Sequence, residues 1–499
     1  MSEYNFSIPS RQSSKGIIVI FGYSLYKIVR ASIILILAFF FKYFQGGSSG
    51  FISIQSLILY GIGTLIIFLC IAILKYLNFK FYVNDSAFVL QDGIINKEEV
   101  SINKSKIQNV FIKQNVLQQI INVVSLSIET AGDDSTEIEI KALSRPKALA
   151  LKGILLKSDK KNEFSIDNVQ TEDASVFFKA SPKLLFLEGI SENHFRSFGI
   201  ILAFIFGIYS DLKDFFDQLD SKSQVTSWFD LDTESFMGIL LFNTGIVFVL
   251  IVVSFLLSLI RTFLQNFNLT VSQQSEGFEI SKGLFNKVNL SLKTSRIQTT
   301  SVVTNRFKKA LGLYQLRFTQ AMVNKKQKEK FTVIGLKKDN LNSFLSEILP
   351  MLNSENIKHK PHKYLMYRIF YISIIPILLL NILFYFFSPE YYLLNIPIMS
   401  IIALNAIYHY KKAYFKIDDA LITIGSGNFI STVKTVAELH KTQAVSFNQT
   451  IFQKRRNLGT LVIYTAGKSL KIPHIPIAFG QQIKNFLLFK VEFENKDWM

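Results

Sequence analysis

The residues with chemical reach in this chain are few, and their spacing decides what they can do. Ala466-Gly467-Lys468-Ser469 ends like a phosphate loop, in which backbone amides cradle phosphates and a lysine reaches them. That loop requires a glycine at position 462, where Val462 stands. It also requires a strand-to-helix context, and here the segment reads as a strand-to-strand turn. Six histidines (His194, His359, His362, His409, His440, His474) form no H-E-x-x-H pair. His359 and His362 lie in a basic run just ahead of an apolar stretch, which fits a headgroup-facing collar better than a zinc site. Asp133-Asp134 and Asp418-Asp419 are adjacent pairs. Neighbours on a strand face opposite ways, so they read as turns and not as an acid/base dyad. The lone cysteine, Cys70, excludes an intramolecular disulfide and a cysteine metal cluster. No nucleophile and base share a workable spacing. The expectation is a protein that is not an enzyme and holds no cofactor or metal.

Cationic turns are the remaining candidates. Arg306-Phe307-Lys308-Lys309 and Lys454-Arg455-Arg456 occupy one equivalent place in a repeated pattern, where the first repeat has Gln118-Gln119. Such a turn suits an anionic bilayer surface, at about 1 kcal/mol per basic residue close to it. A solvated turn is the competing reading. Arg306, Lys308, Lys309, Lys454, Arg455 and Arg456 are the candidate membrane-surface contacts. Lys325, Lys326, Lys328 and Lys330 read as a solvated hairpin tip. The formal charge of +18, from 55 basic and 37 acidic residues, comes with no reader motif for nucleic acid. It fits loops facing an anionic leaflet.

The elements that position these turns are written three times. Copy one has Lys106-Ile107-Gln108 and ends in Glu129-Thr130-Ala131-Gly132. Copy two has Arg296-Ile297-Gln298 and reaches Thr319-Gln320-Ala321-Met322. Copy three has Lys441-Thr442-Gln443 and ends in Tyr464-Thr465-Ala466-Gly467. From each glutamine to the end of its tetrad the spacing is 24 residues. A turn glycine precedes the glutamine by 15, 15 and 16 residues: Gly93, Gly283 and Gly427. A fixed spacing across weakly similar segments marks a repeated structural unit. Gly93 and Gly283 each follow a polar residue and precede a strand, so positive φ is expected at both.

Apolar stretches come in pairs ahead of the copies: 24–44 with 54–74, 195–209 with 236–260, and 365–387 with 391–408. About 20 apolar residues cross a bilayer. Six spans in three hairpins are expected, the first being a retained anchor and not a cleaved signal peptide. The acidic connection 211–235 reads as outward. Basic flanks such as Arg11, Lys75, Arg261, Lys363 and Lys411 place both termini and all three copies in the cytoplasm. Polar residues within the spans are few: Gln55, Asn243, Thr244, Asn381 and Asn405, with no intramembrane carboxylates for an ion relay.

Within copy one, seven short runs read as strands, among them Gly93-Ile94-Ile95, separated by turn residues, and an amphipathic helix closes the unit. In copy one the helix begins near Ser144-Arg145-Pro146. Copies two and three close with helices at 339–349 and 477–489. The order of an aromatic strand, Asp92-Gly93-Ile94-Ile95, Lys106-Ile107-Gln108 and Ser125-Leu126-Ser127-Ile128 leading to Thr130-Ala131-Gly132 resembles the bacterial pleckstrin-homology (PH-like) domain. Three such units, each after a helical hairpin, resemble the long YdbT-type family over nearly the whole chain. The resemblance implies a membrane protein of α plus β class, with a PH-like β-roll after each transmembrane hairpin, in the bacterial cytoplasmic (inner) membrane. It implies as partners membrane lipid and a smaller membrane protein with a single PH-like domain. The expected organisation is a first hairpin in 1–76 and a PH-like domain in 77–160. A linker at 161–194, a hairpin at 195–262 and a domain at 263–352 follow, then a hairpin at 353–410 and a domain at 411–499. Such a molecule reads as a scaffold binding a protein partner and anionic lipid, with a role in envelope stress protection. The alternative is a transport or lipid-handling protein with a cavity among its helices.

Overall fold

The computed structural model describes residues 4–44, 54–130, 138–156, 175–192, 194, 197–201, 236–274, 277–320, 331–349, 357–387 and 395–493. The acidic connection 211–235, Gly132, Met322 and the lysine-rich 325–330 lie outside these residues. The chain divides into two compact units. One comprises Met1–Phe177 with Val271–Lys293 and Met322–Lys325; the other comprises Phe178–Thr270, Thr294–Ala321 and Lys326–Met499.

In the first unit, helices α1 (Gly16–Phe44) and α2 (Ile54–Asn78) pack together. Strands β1 (Lys80–Val83), β2 (Ala87–Asp92) and β3 (Glu98–Asn103) form an antiparallel meander. Asp92 Oδ1 accepts the Gly93 N–H (2.7 Å), and Gly93 has φ +116°. The run 93–95 that reads as a strand is instead the tip of the β2–β3 hairpin, so the first copy has six strands and not seven. Strands β4 (Ile107–Gln114), β5 (Val124–Thr130) and β6 (Ile138–Leu143) follow, with the short helix α3 (Val116–Ile120) between β4 and β5. Helix α4 (Arg145–Leu156) closes the copy, putting Ala148, Leu151 and Leu155 on one face. That face meets Phe81, Phe88, Val110, Leu126, Ile128 and Ile140 in one core. Alternation along the strands and 3.6-residue spacing along α4 aim these side chains at the same interior.

Short strand β7 (Val176–Lys179) and strands β8 (Thr270–Gln274), β9 (Gly277–Lys282) and β10 (Lys287–Lys293) continue the sheet of β4 to β6. The order is β6-β5-β4-β10-β9-β8-β7. A sheet started by one copy is therefore continued by the next.

In the second unit, α5 (Pro182–Ile190) packs on α6 (Phe236–Asn266). Strand β11 (Ile297–Asn305), helix α7 (Arg306–Ala310), strands β12 (Tyr314–Gln320) and β13 (Thr332–Leu336), and helix α8 (Lys338–Ile348) repeat the order β4 to α4. Helices α9 (Tyr364–Phe387) and α10 (Asn395–Lys412) lead to strands β14 (Tyr414–Ile417), β15 (Leu421–Gly427) and β16 (Ser431–Glu438). Strand β17 (Thr442–Asn448), helix α11 (Ile451–Lys454), strands β18 (Leu458–Thr465) and β19 (Ser469–Pro476), and helix α12 (Ile477–Phe493) complete the third copy. The sheet order β13-β12-β11-β16-β15-β14 again joins two copies, whereas β17-β18-β19 stands alone.

Two helical segments among the described residues are long and apolar enough to cross a membrane: Leu59–Asn78 and Val247–Asn266. Tyr364–Leu379 is apolar but shorter.

Candidate interaction site

Each copy builds the same turn after its fourth strand. Asn115, Asn305 and Thr450, seven residues beyond the repeat glutamines, cap α3, α7 and α11. Their side chains accept the N–H of the third helical residue, which satisfies an orphan donor. In copies one and three that third residue is Gln118 or Gln453, and its amide returns to the cap N–H (2.8 and 2.9 Å). Seven residues after the cap stand Asn122, Gly312 and Asn457, all with positive φ (56°, 67° and 51°). Asn and Gly are the residue types that tolerate this left-handed conformation.

In the second copy the third helical residue is Lys308, and it is not a surface cation. Its side chain is 4% exposed, with Nζ 2.5 Å from Glu188 Oε1 and 2.7 Å from Glu192 Oε1. Burial pushes the Glu188 carboxyl up, against the pull of Lys308. Lys308 therefore leaves the set of candidate membrane contacts. Arg306 is also committed: its guanidinium lies 4.4 Å from the Tyr408 ring and 4.2 Å from that of Phe429. Arg456 covers Tyr364 at 4.3 Å. Lys309, Lys454 and Arg455 are exposed. Beside them stand two outward aromatics at the second helical position, Phe307 (71% exposed) and Phe452 (62%). The equivalent Leu117 lies against α1, where a Cβ on Gly22 would come within 2.7 Å of its Cδ2.

The turn has a second face, and it meets the next copy. Strand β4 pairs antiparallel with β10 (Gln114 opposite Lys287), and β11 pairs antiparallel with β16 (Thr304 opposite Thr432). Counted from the repeat glutamines, both pairings match the residue six after one glutamine with that eleven before the next. The hairpin tip of the later copy rests on the turn helix of the earlier one. Gln119 Nε2 donates to the carbonyls of Leu284 and Phe285 (2.9 Å each), and Arg306 stacks on Phe429.

The repeat-defining residues serve the same contact. Lys441 Nζ donates to the Ile297 carbonyl (2.8 Å), and Lys468 Nζ to Ser301 Oγ (3.1 Å). A Cβ on Gly467 would fall 2.7 Å from Thr319 Cγ2 and 3.2 Å from Gln298 Cβ, so only glycine fits against the neighbouring copy. The Ala-Gly-Lys-Ser segment is thus a turn docked between copies. Ile107 and Ile297 are core residues. Gln298 is buried under the joined sheet, while Gln443, on the sheet that stands alone, is exposed. The side chain of Gln108 lies outside the described residues.

The third copy also holds a cavity of about 470 Å³ whose lining includes Arg368, His409, Gln453 and Lys471. Behind its wall the buried His474 accepts from Gln453 Nε2 at Nδ1 (2.9 Å), and its imidazole pKa is lowered to about 4. The causes are burial first, then the Arg368 guanidinium and His362.

Among the described residues a six-stranded unit with a closing helix occurs three times, each after an apolar helix. The bacterial PH domain model matches residues 32–159, 225–352 and 369–490. The chain belongs to this family. It is 23% identical to the UPF0699 transmembrane protein YdbT of Bacillus subtilis (strain 168), over 93% of this chain and 94% of that protein. No solved structure matches. The chain is accordingly a membrane protein with repeated bacterial PH domains.

Proposed function

We propose that this chain is a multi-pass scaffold of the bacterial cytoplasmic membrane, whose PH domains lie on the cytoplasmic side against an anionic leaflet. Its contacts are Phe307 with Lys309, and Phe452 with Lys454 and Arg455. One observation carries the reading. In two copies the same turn sets an exposed aromatic among exposed cations and is stacked on a tyrosine of an apolar hairpin helix, Tyr408 for Arg306 and Tyr364 for Arg456. Tyrosines of this kind favour the membrane–water boundary. An aromatic ring with neighbouring cations suits the headgroup layer.

The transport alternative draws less support. Asn381 and Asn395 hydrogen bond each other between α9 and α10 (2.7 and 3.1 Å), and Asn405 Oδ1 accepts the Phe429 N–H (3.2 Å). These polar groups are satisfied locally.

The test uses the Cys70→Ser full-length chain with a single cysteine at Phe307, Phe452 or Ser221. An impermeant thiol reagent outside intact cells should label Ser221→Cys and spare the other two. In inverted vesicles Phe307→Cys and Phe452→Cys should react faster when salt weakens contact with the leaflet. Labelling of either from outside, or rates that ignore salt, would sink the proposal.

A further inference from the structure

Two junctions between copies share one register, and the third copy repeats the donor side of that junction with no strand paired to it among the described residues. Among the described residues β17 pairs only with β18, and β3 only with β2. The burial agrees. Strand β11, which carries β16, is buried along most of its length, whereas Gln443, Ala444 and Asn448 of β17 are exposed. Strand β3 is exposed at every residue except Ile102, while its counterpart β16 is partly or fully buried throughout.

The accessory contacts are open at the same two ends. Lys441, the lysine that reaches Ile297 in the neighbouring copy, is buried; its counterpart Lys106 is exposed. The tip that rests on a turn helix in copies two and three ends in Ile94-Ile95 in copy one, with Ile95 98% exposed. The turn helix that should receive such a tip, α11, offers Ile451 (75% exposed) where Arg306 stands and Lys454 where Lys309 stands. The outer edges of β1, β6, β14 and β19 are each met by another segment of the chain. Ser10 pairs with Phe81 and His359 with Phe415, while Ser13 donates to Ala142 and His362 to His474. An uncovered strand edge is a template for another strand.

We propose that the β17 edge and α11 of one molecule receive the β3 edge and hairpin tip of a second copy of this chain. The shared register sets Ser446 opposite Val100, Phe447 opposite Glu99 and Asn448 opposite Glu98. Ile94 and Ile95 then meet Ile451, apolar on apolar. Glu98 and Glu99 of the incoming strand come beside the turn that carries Lys454 and Arg455, a charge match that favours this occupant. Lys106 takes the place of Lys441 and donates to the Thr442 carbonyl, the counterpart of Ile297. The contact is heterologous, so repetition gives open chains or rings of molecules in the plane of the membrane.

The experiment uses full-length Cys70→Ser chains in native membranes, one tagged version carrying Val100→Cys and a differently tagged one carrying Ser446→Cys. Oxidation should give a mixed disulfide dimer joining the two tags and no dimer of either version alone. A single chain with Ser301→Cys and Thr435→Cys, whose hydroxyls lie 3.0 Å apart across the existing junction, calibrates the oxidation by closing within itself. Lys106→Glu in the Val100→Cys chain should lower the mixed yield by about fivefold, the loss of one buried hydrogen bond. Closure of the calibrating pair without a mixed dimer would overturn the proposal. So would capture by the Ser446→Cys chain of a different protein, such as a smaller membrane protein with one PH domain.

Discussion

Lys308 and His474 both stand in surroundings that reverse what their types suggest. Lys308 stands in a basic turn, yet it joins a buried cluster with Glu188 and Glu192, which lie 120 and 116 residues earlier. Removing the cation strands a buried carboxylate. Lys308→Met should therefore cost about 3–5 kcal/mol, and Lys309→Ala about 0.5 kcal/mol or less, in denaturant unfolding of the purified protein. Equal effects would contradict the burial. His474 is fully buried and held near pKa 4, against about 6.5 in the unfolded chain. Below pH 6.5 the unfolded chain takes up a proton that the folded imidazole refuses until about pH 4. Stability should thus be intact above pH 6.5 and fall through that window, by on the order of 3 kcal/mol in all. Hydrogen exchange of β18 and β19 reads it. His474→Asn keeps a residue suited to its φ of +54° and should flatten the slope.

At the scale of elements, the hairpin tips follow from glycine. A Cβ on Gly93 would lie 1.9 Å from the Asn96 carbonyl oxygen, and one on Gly283 would lie 2.1 Å from that of Asn286. Both residues have the positive φ expected of them. Gly93→Val should destabilise the β2–β3 hairpin by roughly 1–3 kcal/mol, seen as faster hydrogen exchange across residues 87–103. Unchanged exchange would count against the turn. The repeat, the strand-to-helix order and the closing helices were legible because local chemistry wrote them. The helix at 477–489, for example, is seen at Ile477–Phe493. The run 93–95 misled because two isoleucines read as a strand, although the glycine and the Asp92 cap hold them in a turn. Asn122, Gly312 and Asn457 were a readable signal at constant spacing that the composition of the turns concealed.

For the whole molecule, the joining of copies through their sheets was not legible. Edge pairing depends on which strands find a neighbour after folding, and β4, β11 and β17 look alike in sequence although, among the described residues, only the first two are paired with the next copy. The candidate site was half legible. The cationic turns stand where the repeat places them, but Lys308 is buried and Arg306, though exposed, is stacked on Tyr408 and Phe429, and Phe307 and Phe452 carry the outward face. On the function proposed above, this face touches the leaflet. Bimane attached at Phe307→Cys or Phe452→Cys, in the Cys70→Ser chain reconstituted into anionic bilayers, measures it through quenching by headgroup nitroxide lipids. Strong quenching at both positions, reduced in neutral bilayers and in high salt, is the predicted result. Fluorescence that no nitroxide lipid quenches at either position would contradict it.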